Sequence, residues 1–408
     1  MFTGMPPALH GVEYDDVSID PGHTTLVESL SEAGWFTAGW WTGWYLAGEY
    51  GFDRGFEVYE DCTSVGVNAL RFAASVAPQA GAEERKALRA MEDASHEGLT
   101  SDVVVERFTG WFEGLDEDEP FFAFLHFWDP HYDYAPPPEH DVFDPDYTGD
   151  VDGTGIPQRK MQGFHGGELS QRDRDHVVAL YDGEIRYTDE QLGRALDALA
   201  AAGRLDDTLI VFTSDHGEEF GEHGRFGHNR TLFEESIAVP LIVRWPGRVP
   251  AGAVVDDLVS LVDVAPTVLD LVGLAPEPEH WGRSLGELLD DDPATTLKPR
   301  AAPLELAFGR PDPARPRAAM EGLHGGDHKV IREFPGTRPV LFDLTTDPGE
   351  TERLELAPDD ERLDRAKKLW AAIRQAGERL ARGTGSGEAL PEHLEEGLSH
   401  FGYLGDDE

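Results

Sequence analysis

Cysteine is nearly absent from this chain of 408 residues, and the single one, Cys62, excludes an internal disulfide and any cysteine-ligated metal cluster. Lysine is almost as scarce: only 6 of the 34 basic residues are lysines, and none occurs from Met1 to Arg85. No apolar run is long enough to span a bilayer, and no charged-then-apolar leader follows Met1. A soluble, cytoplasmic protein without a membrane partner is expected. Positive charge is short overall, because 79 acidic residues leave a formal net charge of -45. Phosphate backbones demand the opposite sign, so nucleic acid is excluded as a partner.

The acidic excess is spread along the whole chain and describes an entire surface. Self-repulsion of that size favours a protein adapted to high salt, since a Debye length of about 3 Å at 1 M ionic strength relieves it. The length suffices for one large α/β domain and a smaller one. The boundary is expected past Asp290, where Asp, Pro and Thr take over. The expected divisions are residues 1–290, residues 301–382 with short antiparallel strands and one helix, and an acidic tail over 383–408. Cys62 reads as a small buried apolar residue.

The most informative stretch runs from Leu209 to His228. Leu209 to Phe212 are apolar or β-branched without interruption, which predicts a strand buried on both faces, and Ser214-Asp215-His216-Gly217 is the turn that ends it. Asp215 and His216 therefore stand at a strand's carboxyl end, where open α/β sheets bind ligands. A carboxylate beside an imidazole can ligate a metal; an ordinary solvated loop exit is the alternative reading of the same residues. A second apolar run, Phe121 to Leu125, predicts another interior strand stopped by Pro130. That places His131 past its carboxyl end, expected on the same sheet edge as Asp215, whereas His126, within the strand, reads as a core residue or one that supports the site from behind.

Other elements follow from periodicity. Leu26, Val27 and Leu30 predict a helix stopped at Gly34, and the aromatic run from Trp35 to Tyr45 predicts core. Thr100 or Ser101 is expected to cap a helix carrying Val104, Phe108, Trp111 and Phe112. Residues 65–97 read as an alanine-rich helical stretch, and residues 139–170 as a long loop. A strong helix is predicted from Gln171 to Gly203, with Val177, Val178, Tyr181, Ile185, Leu192, Ala195, Leu196 and Leu199 on its core face. Further strands are predicted at Val239–Trp245, Leu304–Phe308, His328–Arg332 and Val340–Leu344, and helices at Asp263–Gly273 and Glu361–Leu380.

Several of these segments together resemble the sulfatases of the alkaline phosphatase superfamily. Phe212–Glu218, Gly221–Gly224 and Thr231–Arg244 resemble the family's metal-binding segment, and Met1–Val12 resembles the stretch after its nucleophile motif. Gly51–Phe56, Pro130-His131, Tyr181–Asp189, Gly282–Leu285 and Leu341–Glu350 resemble further family segments in the family's order. The resemblance implies an α/β fold with a mostly parallel central sheet flanked by helices and a small carboxyl-terminal antiparallel sheet. It implies hydrolysis of a sulfate ester at a divalent cation, Ca2+ foremost, with Mg2+ or Mn2+ as alternatives. Asp215 and His216 would bind the metal, His131 would help protonate the leaving oxygen, and His228 or Arg230 would bind the anion of a small sulfated or phosphorylated ester.

The family's nucleophile and two further metal-binding aspartates are expected upstream of Met1. Asp15 and Asp16 lack the apolar strand that would make them substitutes, and Cys62 lacks the Pro and Arg of the nucleophile pattern. A start placed downstream of the true one is therefore expected. Two alternatives stay open: a phosphodiesterase or phosphonate monoester hydrolase of the same superfamily, and a non-catalytic remnant that binds anionic glycans or nothing.

Overall fold

The computed structural model describes residues 1–10, 12, 18–63, 100–154, 169–228, 230–289, 300–308, 318–332 and 337–380. Asp15 and Asp16, the helical stretch expected over 65–97, the later part of the 139–170 loop and the acidic tail from 383 lie outside these. The strands, in chain order, are β1 (Phe36–Trp41), β2 (Val58–Asp61), β3 (Phe121–Leu125), β4 (Ile210–Thr213), β5 (Glu219–Phe220) and β6 (Phe226–Gly227). They continue with β7 (Leu241–Arg244), β8 (Ala302–Phe308), β9 (Ala318–His324), β10 (His328–Arg332), β11 (Val340–Asp343) and β12 (Leu354–Glu355).

The chain divides into two compact units, one of residues 30–208 with 218–227, the other of residues 1–29, 209–217 and 228–408. In the first, β1 lies between β2 and β3 in a parallel sheet, with Phe36 opposite Phe121 and Ala38 opposite both Val58 and Ala123. The aromatic run expected as core supplies β1, whose Trp40 is buried against Phe108 and Trp111 of the Ser101–Phe112 helix. Ala195 and Leu199 of the Gln171–Ala201 helix close the same core. Cys62 is buried in it, as its composition suggested.

Three expectations change here. The Ser101–Phe112 helix is capped neither by Thr100 nor by Ser101: the Asp129 carboxylate accepts from both their amides, at 3.0 and 2.9 Å, and from the Ser101 hydroxyl. A buried carboxylate 28 residues away satisfies the helix's unpaired donors in place of a local hydroxyl. On the long helix, Ile185 is 44% exposed and Glu184 is buried instead. Val177, Ala195 and Leu199 keep the predicted face, and only at this turn does Glu184, which has polar partners inside, take the buried place. Among the described residues β3 is an edge strand, half-buried throughout, rather than the expected interior one.

In the second unit β4 pairs antiparallel with β7, Thr213 opposite Leu241 and Ile210 opposite Arg244. Neither is buried on both faces, and Phe212 is 36% exposed. Among the described residues no ladder joins β4 to β3. The carboxyl-terminal sheet is antiparallel, in the order β12-β11-β10-β9-β8. The Glu361–Leu380 helix covers it, with Leu369 and Trp370 packed on Leu323, Val330 and Leu341. A second cluster joins Leu232 and Phe233 to Met320, Ile331 and Phe342. No helix among the described residues is long and apolar enough to cross a membrane.

Candidate active site

β4 ends at Thr213, whose hydroxyl donates to the Pro240 carbonyl at 2.8 Å, and the Ser214 hydroxyl donates to the His216 carbonyl at 2.6 Å. Gly217 then passes so close to the Glu234–Ile237 helix that a β-carbon on it would lie 2.0 Å from the Glu235 carbonyl oxygen. Only glycine fits, and its amide donates to the Ser236 carbonyl at 2.9 Å. These contacts fix the backbone that carries Asp215 and His216.

The side chains converge accordingly. The His216 ring stacks on that of His228, centroids 3.9 Å apart, and the two offer ligand nitrogens within 4.8 Å of one another. Asp215 Oδ2 lies 3.7 Å from His216 Nε2. Nδ1 of His216 is 3.0 Å from the Gly217 carbonyl, which can only accept, so Nδ1 carries the proton and Nε2 presents its lone pair. Burial is the main cause that lowers the His228 pKa to about 3 and keeps that imidazole neutral. The Asp215 carboxylate and the lone pair of His216 Nε2 fit a divalent cation, with the His228 ring beside them. Arg230 is exposed, whereas His228 is 4% exposed.

His131 lies in the other unit. Its ring stands between those of Trp128 and Tyr132, at 4.2 and 4.1 Å, and its Nδ1 is 2.7 Å from the Tyr132 carbonyl. The same tautomer argument leaves Nε2 as the atom that exchanges a proton. Its amide donates to Glu184 Oε2 at 3.2 Å while the Ala135 amide donates to Oε1 at 2.6 Å, so one buried carboxyl holds both ends of the His131 loop. Burial, reinforced by Asp129 and Asp133, raises the Glu184 pKa well above its ordinary value. Sequence reading passed over Glu184; the only signal was an acid next to an apolar position on a core-facing stripe. His126, read as core, is half-buried and hydrogen-bonds the Thr42 hydroxyl at 3.0 Å.

Residues 1–274 match the sulfatase family model, and residues 221–378 match the model described as N-sulphoglucosamine sulphohydrolase, C-terminal. The chain belongs to the sulfatase family. Arylsulfatase K of Mus musculus is 35% identical over 188 residues, which is 45% of this chain and 33% of that protein. N-acetylglucosamine-6-O-sulfatase of Bacteroides thetaiotaomicron is 31% identical over 203 residues, 50% of this chain and 34% of that one. A multifunctional alkaline phosphatase superfamily protein, PehA of Trinickia caryophylli, is 28% identical over 288 residues, 62% and 55% of the two chains. The matches thus span about a third to a half of those relatives' lengths.

Among solved structures, the phosphonate monoester hydrolase of Agrobacterium radiobacter aligns with a TM-score of 0.67 at 24% identity, over 92% of this sulfatase-family chain and 85% of that chain. A structure solved with D-glucosamine-2-N,6-O-disulfate aligns with a TM-score of 0.66 at 19% identity, over 95% and 88%. The fold is that of the alkaline phosphatase-like sulfatases, with a parallel sheet, flanking helices and a small carboxyl-terminal antiparallel sheet.

Proposed function

We propose that this chain is a metal-assisted sulfuric ester hydrolase, in which Asp215 and His216 hold a divalent cation, foremost Ca2+. The observation that carries the reading is the His216 ring, oriented by the Gly217 carbonyl so that Nε2 faces away from its own backbone, beside Asp215. A divalent cation held by Asp215 and His216 would supply Lewis acidity to the ester. His228, neutral and buried, orients the anion by hydrogen bonding, and Arg230 adds charge at the rim. His131, protonated on both ring nitrogens, would donate its Nε2 proton to the leaving oxygen as an attacking oxygen nucleophile bonds to sulfur and the ester sulfur–oxygen bond breaks, so the alcohol departs neutral. Cys62, with its thiol pushed up to about 11 mainly by burial, is unsuited to act as the nucleophile.

Cleavage of a phosphodiester or phosphonate monoester is the second reading, supported by the fold shared with the phosphonate monoester hydrolase of Agrobacterium radiobacter. An aryl sulfate and a bis-aryl phosphate, each assayed with Ca2+, Mg2+ and Mn2+, separate the two. The sulfate ester is expected to be cleaved faster, and His131→Ala to lower kcat by roughly 100-fold or more. Absence of divalent-ion binding by calorimetry, or its persistence unchanged in Asp215→Asn and His216→Ala, would sink the metal assignment. Failure to cleave either ester while binding the ion would leave an anion-binding remnant.

A further inference from the structure

A chain with 6 lysines in 408 residues buries one of them completely: Lys329 on β10 has no exposed side-chain surface. Lys367 and Lys368, the other two lysines among the described residues, are exposed. An ammonium taken from water demands strong partners, and Lys329 has two carboxylates. Its Nζ donates to Glu234 Oε1 at 2.8 Å and pairs with Glu350 Oε1 at 2.7 Å. Glu350 Oε2 in turn accepts the Glu234 amide at 2.7 Å. His324 Nε2 lies 3.2 Å from the same Glu234 oxygen that Lys329 holds.

These contacts converge on one short element. Glu234 opens the Glu234–Ile237 helix, and through both its side chain and its amide it is tied to β9, β10 and the turn at Glu350. Glu350 adopts φ +50°, and is the one residue other than glycine with positive φ among the described residues. A side-chain-bearing residue keeps that conformation only where its surroundings over-determine it, as the two bonds to its carboxylate do here. Burial by itself raises the Glu234 carboxyl, but the hydrogen bond from His324 and the Lys329 charge bring it down to about 2, so it is ionised at all ordinary pH. Two residues on, the same turn offers the Ser236 carbonyl to the Gly217 amide.

We infer that Lys329 is a positioning residue for the metal-binding loop: through Glu234 and Glu350 it fixes the short helix against which Gly217, and with it His216, is held. The inference rests on the metal assignment above only for its consequence; the mechanical link is a property of the chain alone. A purely structural ion pair would lower global stability when removed and leave the loop's relation to the helix unchanged in whatever stays folded. A positioning residue uncouples the two.

The test compares wild type with Lys329→Met and with Glu350→Gln, which keeps the shape and removes one charge in case the first variant fails to fold. Amide hydrogen exchange of a peptide covering Thr213–Gly217 is read against one from the Gln171–Ala201 helix as an internal reference. Exchange at Thr213–Gly217 is expected to rise in both variants while the reference holds, and Mn2+ or Ca2+ affinity by calorimetry to fall about tenfold. Unchanged exchange at Thr213–Gly217 in a folded variant overturns the inference. A wild type that binds no divalent ion sinks the functional reading, and the exchange data then still decide the positioning role.

Discussion

The His131 amide donates to the carboxyl of Glu184, 53 residues further on, at 3.2 Å, so the loop that carries the proposed acid is anchored by a side chain from the long helix. That carboxyl is buried and its pKa stands well above the ordinary value, burial being the main cause. The folded state therefore holds the Glu184 proton at pH values where the unfolded chain has lost it. Stability is full below the unfolded pKa near 4.5 and declines as pH rises toward the folded pKa, by at most about 1.4 kcal/mol per pH unit. Denaturant titrations of wild type and Glu184→Gln from pH 4.5 upward are expected to diverge in slope, the wild type losing more. Parallel curves would mean that Glu184 ionises like an ordinary carboxyl.

Much of this architecture was legible because it rests on local chemistry. Gly34, Gly203 and Gly273 end the helices where the sequence places stops, each at positive φ; of the aromatic run from Trp35 to Tyr45, Trp40 and Trp41 are buried in β1, whereas Tyr45 is 55% exposed. Asp215 and His216 could be singled out because the strand-to-turn transition is written in consecutive residues. What could not be read depends on partners distant in sequence. The strand β9 carries little apolar periodicity, and its pairing is set by register with β8 and β10. The cap at Ser101 comes from Asp129, and the burial of Glu184 is decided by two amides in another loop. The apolar runs at β3 and β4 signalled strands correctly but not their ladders, since an uninterrupted run states strand and says nothing of which neighbour it will meet.

Cys62 offers a built-in reporter. It is the chain's single thiol, it is buried beside Val104 and Phe108, and burial pushes its pKa up to about 11. At neutral pH a disulfide reagent is expected to label it at least ~10-fold more slowly in the native protein than in denaturant, because thiolate and access are both withheld. Equal labelling rates would contradict the burial of the first unit's core.

Salt should act through the net charge of -45. Raising KCl from dilute buffer to molar concentration shortens the Debye length to about 3 Å and screens repulsion between exposed carboxylates, while the buried Lys329 cluster is little affected. A midpoint of thermal unfolding that climbs steadily with KCl is expected. A flat or falling midpoint would mean that the acidic surface is not self-repelling in the folded state.

Two glycine substitutions separate strain from site geometry. At Gly217 a β-carbon would meet the Glu235 carbonyl oxygen at 2.0 Å, so the His216 turn must move away from the helix and the bond from the Gly217 amide to Ser236 is lost. At Gly224, φ is +75° but open space surrounds the position, so alanine there meets only the left-handed penalty, roughly 1–2 kcal/mol. Both variants are expected to unfold at lower temperature. Only Gly217→Ala is expected to lose divalent-ion binding as well, because the turn that must shift is the backbone that holds Asp215 and His216 in place. Calorimetric titration of both with Mn2+ checks this: equal affinity in the two variants would show that the close approach at Gly217 serves packing and not the placement of the ligands.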